Sequence, residues 1–307
     1  MILLTSIAVE RAGGDPSGWT VPNWTKDGDL EFMDGQNIGT SMLSLTAPGA
    51  CILKGDEGAK LARSANEFCA QLKRENPARY GLLAALPCLL EKDRALAELA
   101  YAFDELEADG VTLFTRYGPD NHYLGHPDIE YIWKELDKRK AVVFIHPTHP
   151  VDTNLVNSKL LQPVIDYPFE TTKTAVDMLS SNILKRYPNC KVVLSHAGGT
   201  LPYLVCRPAS ILPYLDSSLN TDQLMQQAKS FYFDTALSGN EYALSLLRKF
   251  AKPDHIIFGS DYPYAPTPVV DLNTKGLEAT AEVSDILDQI NYKNALSLFP
   301  RLQNYYN

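Results

Sequence analysis

Three polar residues close apolar runs of similar composition. His146 ends Ala141–His146 (AVVFIH), His196 ends Lys191–His196 (KVVLSH), and Asp261 follows His255–Ser260 (HIIFGS). Each is followed by turn-forming residues: Pro147-Thr148-His149-Pro150, Ala197-Gly198-Gly199 and Tyr262-Pro263. A lone histidine at a strand end is more often a core residue with satisfied hydrogen bonds than a ligand. Two histidines and a carboxylate at three such ends point instead to a site for a divalent metal ion. Neutral imidazole and carboxylate both suit zinc, and manganese is the alternative.

Other candidates carry weaker signals. His149 sits in the loop after His146, where it either reaches a substrate or lies at the surface. His122 and His126 flank Tyr123 in a loop bounded by Pro and Gly, and read as solvated or lid residues. Asp234, inside FYFDTA, either orients a ligand or is a buried carboxylate bonded to backbone. His255 begins a strand and so faces the other end of the fold, in a structural role. Trp19 and Trp24 read as packing residues.

These residues need a frame that brings strand ends together. From about residue 36 the chain alternates strand and helix. Strands are expected at Gly39–Thr46, Gly81–Pro87, Gly110–Thr115, Ala141–His146, Lys191–His196, Ser230–Ala236 and His255–Ser260. Helices are expected at Ala59–Asn76, Asp93–Asp109, Asp128–Lys140 and Phe169–Tyr187. The strands are short and nearly all apolar, as in a parallel sheet buried on both faces. An α/β barrel of the eight-stranded TIM type, lacking its first strand, accounts for this series better than a doubly wound sheet. One domain over residues 1–307 is expected. Residues 1–35 form an irregular N-terminal segment rich in Gly and Pro, and 283–302 a helical tail. In such a barrel, His146, His196 and Asp261 share the face where active sites are built.

Composition narrows the partners. Formal charge is −9, a poor match for nucleic acid or an anionic membrane surface. No run approaches the roughly 18 apolar residues of a membrane span. The N-terminus lacks the basic region of a signal peptide. The five cysteines show no metal-binding spacing and read as reduced thiols, which places the protein in the cytoplasm.

The segments VFIHPTHP, VVLSHAGGTLPYLVCR, FYFDTALS and IIFGSDYPYAP resemble one amidohydrolase-related, metal-dependent family. It contains aminocarboxymuconate semialdehyde, γ-resorcylate and 6-methylsalicylate decarboxylases. AVERAGGDPSGWTVPNW and NALSLFPRL resemble its 6-methylsalicylate decarboxylase-like members, so the likeness runs from about Ala8 to Leu302. The resemblance implies that His146 and Asp261 are metal ligands and that His196, with Asp261, acts in proton transfer. It also implies that Arg207 binds substrate carboxylate, sometimes across a subunit boundary, and that the chain forms a homodimer. A small aromatic carboxylate is the implied substrate.

One departure stands out. The family opens with a strand ending in HxH or ExH, which gives two further ligands, whereas no histidine precedes His122 here. Met1–Ile7 occupy that place. The expectation is either an incomplete start or a variant with altered metal use. Non-oxidative decarboxylation is the expected reaction. Metal-dependent hydrolysis of a lactone or related bond, and a truncated non-catalytic relative, are the alternatives.

Overall fold

The computed structural model describes residues 2–306. Among them the strands are β1 (Ser41–Ser44), β2 (Tyr80–Ala84), β3 (Gly110–Phe114), β4 (Arg116–Tyr117), β5 (His122–Tyr123), β6 (Val142–His146), β7 (Lys191–Leu194), β8 (Tyr232–Asp234) and β9 (Ile256–Ile257). Seven of these form one parallel sheet in the order β1-β2-β3-β6-β7-β8-β9. The sheet curls into a barrel-like array, and no strand precedes β1 among the described residues. Register fixes the site: Phe114 lies opposite His146, Ile145 opposite Leu194, and Asp234 opposite Ile257. β4 and β5 make a separate antiparallel hairpin.

The strands form where the sequence predicts, although each is shorter. β2 and β3 are buried along their whole length, which explains why their sequences do not alternate. Helices cover the outside. α3 (Gly55–Glu75) buries Leu61, Ala62, Ala65, Cys69 and Leu72 on one face; Asp56 and Glu57 begin it and Lys73 and Arg74 end it, matching the helix dipole. α4 (Lys92–Asp104) and α5 (Glu130–Lys138) follow β2 and the hairpin. α6 (Gln162–Ser180) begins earlier than the predicted helix and ends before Tyr187, with Pro168 inside it.

The expectation of irregular structure throughout residues 1–35 is corrected. α1 (Ile2–Arg11) and α2 (Lys26–Gly35) are helices, and only the stretch between them is irregular. Met1 lies outside the described residues. Gly35 belongs to the Gly- and Pro-rich pattern, but Thr25 caps α2 by accepting from Gly28 N at 3.1 Å, and Phe32 and Met33 are buried. Tertiary burial outweighs weak helix propensity there.

α2 also joins the two ends of the sheet. Phe32 stacks on Tyr262, beyond β9, with ring centroids 3.7 Å apart. Leu43 of β1 belongs to the same apolar cluster, as do Ala265 and Val270. Gln36 donates to Asp271 at 2.6 Å. A helix and its aromatic stack thus span the seam that a further strand would fill. The floor of the barrel is closed by the C-terminal tail: Leu298, Phe299 and Leu302 pack on Leu83, Val142 and Val193. A cavity of about 360 Å³ near Lys73, Asp109 and Arg301 lies at that floor, opposite the strand ends that carry His146 and Asp261.

Candidate active site

The structure brings His146, His196 and Asp261 to one end of the barrel. His146, the last residue of β6, is buried. Its Nδ1 lies 2.7 Å from the Pro147 carbonyl, which can only accept, so Nδ1 carries the proton of the neutral ring. Nε2 then offers a lone pair, which the Thr46 hydroxyl at 3.0 Å meets. Burial, and secondarily His196, push the His146 pKa down to about 4. The ring is therefore neutral near pH 7. A backbone-fixed tautomer that leaves Nε2 as the electron-pair donor is the arrangement of a metal-binding histidine.

His196 is placed by a strained turn. His196, Ala197, Gly198 and Gly199 all have positive φ, at 54°, 55°, 74° and 62°. Gly199 is required: a Cβ there would lie 2.1 Å from the Pro168 carbonyl oxygen of α6. Asp234, at the end of β8, braces the turn by accepting from His196 N at 2.8 Å and Ala236 N at 3.0 Å. Both readings of Asp234 thus merge, since its backbone bond positions a site residue. Burial raises its pKa to about 6, against the opposing pull of His196.

His196 and Asp261 form the charged pair of the site, with Nε2 3.8 Å from Oδ2. Burial opposes charge on His196, but the Asp261 and Asp234 carboxylates outweigh it and raise its pKa above the ordinary histidine value. The His146 and His196 ring centroids are 6.1 Å apart. A neutral imidazole and one whose carboxylate neighbours favour its protonated form therefore face each other.

Sequence reasoning missed several neighbours. Tyr167 of α6 stands edge-on to His146 at 6.3 Å and is buried. Burial raises the pKa values of Tyr167 and Tyr264, and nearby Asp15 and Asp261 add to this. Ser17 is buried beside Tyr167, so the irregular segment after α1 reaches the site. Thr46 follows the end of β1, and the strand-end argument used for His146 applies to it equally. Tyr167 gave no such signal, because it lies on a helix whose start was misplaced.

The remaining candidates divide. His149 is half-buried beside the site loop, with Nδ1 3.3 Å from Thr148 Oγ1. Burial, aided by Arg116, lowers its pKa to about 4. Arg116 is a buried cation missed in the sequence; it donates to the carbonyls of His149 at 2.8 Å and Pro150 at 3.0 Å. His255 stacks on Tyr232 at 3.9 Å, in the structural role expected of it. Trp24 packs on Phe68 and donates to Asp29. Arg207 stands apart from the three site residues. It is exposed on the helix Cys206–Leu215, and no hydrogen bond or ion pair joins it to the three site residues. Two helices, Leu201–Leu204 and Cys206–Leu215, carry the chain outward after the His196 turn.

The barrel and its His/Asp strand ends define a class: the amidohydrolase family profile matches residues 8–301, and the chain belongs to that family. Within it, the chain is 50% identical over 304 residues to the 6-methylsalicylic acid decarboxylase acuB of Aspergillus aculeatus, covering 96% of this chain and 92% of that one. A crystal structure of an amidohydrolase II superposes with a TM-score of 0.90 at 30% identity, covering 98% of this chain and 97% of the other. The dihydroxybenzoic acid decarboxylase of Polaromonas, solved with manganese and 2-nitroresorcinol, shares the fold at a TM-score of 0.82 and 24% identity, covering 92% and 89%. Among the described residues, no helix is long and apolar enough to cross a membrane.

Proposed function

We propose that this chain removes carbon dioxide from an aromatic carboxylic acid of the 6-methylsalicylic acid type, without an oxidant. The observation that carries this reading is the 50% identity to a decarboxylase of that acid across 96% of the chain. The chain is a carboxy-lyase of the amidohydrolase family.

Nε2 of His146 and the Asp261 carboxylate are the donors that would hold a divalent cation. Their chemistry fits one: a neutral imidazole of fixed tautomer and an anionic oxygen. Zinc and manganese both suit that set, and the manganese of the Polaromonas enzyme supports the divalent class. When bound, the ion would orient the substrate's carboxylate and neighbouring hydroxyl and stabilise negative charge there.

The side chains account for the proton. His196 in its protonated form gives the Nε2 proton to the ring carbon that bears the carboxylate. That carbon becomes tetrahedral. The bond to the carboxylate then breaks, its electron pair restores the aromatic ring, and carbon dioxide leaves. Water re-protonates His196. Asp261 and Asp234 keep the proton on His196 between turnovers. His149 is a candidate contact for the substrate. Arg207 would meet a carboxylate across the interface of a homodimer, where exposed Tyr203, Tyr214 and Leu215 supply an apolar face.

The test is to incubate purified protein, loaded with zinc or with manganese, with 6-methylsalicylate. Stoichiometric carbon dioxide and 3-methylphenol are expected. Recovery of the unchanged acid from both metal-loaded forms overturns the substrate assignment. Hydrolysis of an aryl lactone without carbon dioxide release overturns the reaction class.

A further inference from the structure

A second cluster of metal-type donors lies outside the site. His122 on β5, His126 after it and Asp128 in the turn Pro127–Ile129 bring one ligand atom each within 4.8 Å of one another. His122 Nε2 lies 3.4 Å from Asp128 Oδ2, and His126 Nδ1 lies 3.7 Å from the same oxygen. The two imidazole rings are 4.4 Å apart, centroid to centroid.

These separations are long for charge-assisted hydrogen bonds, which run at about 2.7–2.9 Å. They lie close to ligand-to-ligand edges around a tetrahedral ion, where bonds of about 2.0–2.1 Å imply edges of about 3.3 Å, so a bound ion would draw the donors in by a few tenths of an ångström. In the metal-free chain the Asp128 backbone N–H is bonded to His126 Nδ1 at 3.2 Å. An ion at that nitrogen would replace this long bond.

The donors stand on a braced segment. Tyr123 donates to Glu170 at 2.8 Å, Leu124 N to Thr174 at 3.2 Å, and Gly125 N to Asp177 at 2.6 Å. His126 N donates to the Tyr123 carbonyl, and Ile129 N to the His126 carbonyl, both at 3.0 Å. The backbone between the ligands is thus fixed to α6, and little order must be gained on binding. Two imidazoles and one carboxylate favour zinc over magnesium or calcium.

We propose that His122, His126 and Asp128 form a second, structural zinc site with water as the fourth ligand. It is separate from the site at His146 and Asp261. It ties β5 to the turn before α5, on the hairpin whose Arg116 holds the loop after His146.

The test uses the full chain, stripped with chelator and titrated with zinc(II) alone, with bound zinc counted by elemental analysis. His122→Ala/His126→Ala should bind one equivalent fewer than wild type. His146→Ala/Asp261→Ala should keep that equivalent. Cobalt(II) in this latter variant should give the intense visible absorption of tetrahedral coordination, and Asp128→Asn should weaken its binding about tenfold or more. Metal-free wild type and His122→Ala/His126→Ala should melt together, while zinc raises the melting temperature of the wild type more. Equal zinc content in wild type and His122→Ala/His126→Ala overturns the proposal. So does complete loss of zinc from His146→Ala/Asp261→Ala.

Discussion

The Nε2 of His196 lies 3.8 Å from Oδ2 of Asp261, and both residues take left-handed backbone conformations, with φ of 54° and 61°. Non-glycine residues rarely adopt that region, and two of them facing each other beyond the ends of β7 and β9, across β8, mark strain maintained for a purpose. The turn geometry brings an imidazole against a carboxylate instead of letting either point along its strand.

The pH profile should be bell-shaped. His196 must hold a proton and His146 must be neutral. Activity should fall as pH rises through the raised His196 pKa, and fall again as pH drops toward about 4, where His146 becomes charged. Asp234→Asn keeps an acceptor for His196 N but removes a charge that favours the imidazolium. The alkaline limb should then move to lower pH, with KM changed less than kcat. The same proton stabilises the fold below the ordinary histidine pKa, and that contribution is lost as pH rises through the folded value. An alkaline limb in Asp234→Asn that coincides with wild type would show that Asp234 does not tune His196.

Metal retention should separate the three strand-associated residues. His146→Ala and Asp261→Ala should each lose the ion of the catalytic site. His255→Ala should keep it, because that ring is stacked on Tyr232 and bonded to the Phe231 carbonyl at the other end of the barrel. Elemental analysis after gel filtration reads this directly. Equal metal in all three variants would contradict the assignment of ligands.

The seam helix should carry measurable stability. Phe32 is 8% exposed and stacked on Tyr262. Phe32→Ala should cost about 3–5 kcal/mol, the usual range for a buried Phe-to-Ala change. Because Tyr262 follows Asp261, the variant should lose activity as well. Urea unfolding followed by tryptophan fluorescence measures the first effect. A cost of less than about 1 kcal/mol would mean that the two sheet ends are held by other contacts.

Association should depend on the helix that carries Arg207. Tyr203 is 80% exposed, Tyr214 90% and Leu215 78%, a large apolar area to leave in water. A homodimer is expected by light scattering at micromolar concentration. Tyr214→Glu/Leu215→Glu should yield monomers. Arg207→Ala should stay dimeric and raise KM. A monodisperse wild-type monomer would remove Arg207 from the substrate site.

Much of this was legible in the sequence, for physical reasons. Apolar runs such as Val142–Ile145 have to be buried on both faces, which fixed the parallel sheet and placed His146, His196 and Asp261 at one end. The helix α2 was not legible. Its glycines obscured it, and its support comes from Tyr262 and Asp271, far along the chain. Tyr167 was hidden because the helix was expected to start only at Phe169, whereas it starts at Gln162. The brace from Asp234 was seen only as a pair of alternatives, since backbone partners cannot be read from residue type. The exposure of Arg207 depends on how two short helices turn away from the sheet, which spacing alone does not encode.

The tail that floors the barrel sets an order in time. Arg301 donates to the carbonyls of Pro77 and Tyr80 and pairs with Asp109, 192 residues earlier. Leu298, Phe299 and Leu302 fill the space beneath strands made long before them. During translation every strand leaves the ribosome before its floor exists, so the barrel cannot complete its core until this segment has emerged. Ribosome-stalled chains should therefore remain sensitive to protease until about 30–40 residues beyond Arg301 have been added, enough extended chain to span roughly 100 Å of tunnel. Protection appearing while Arg301 is still enclosed would show that the strands close without their floor.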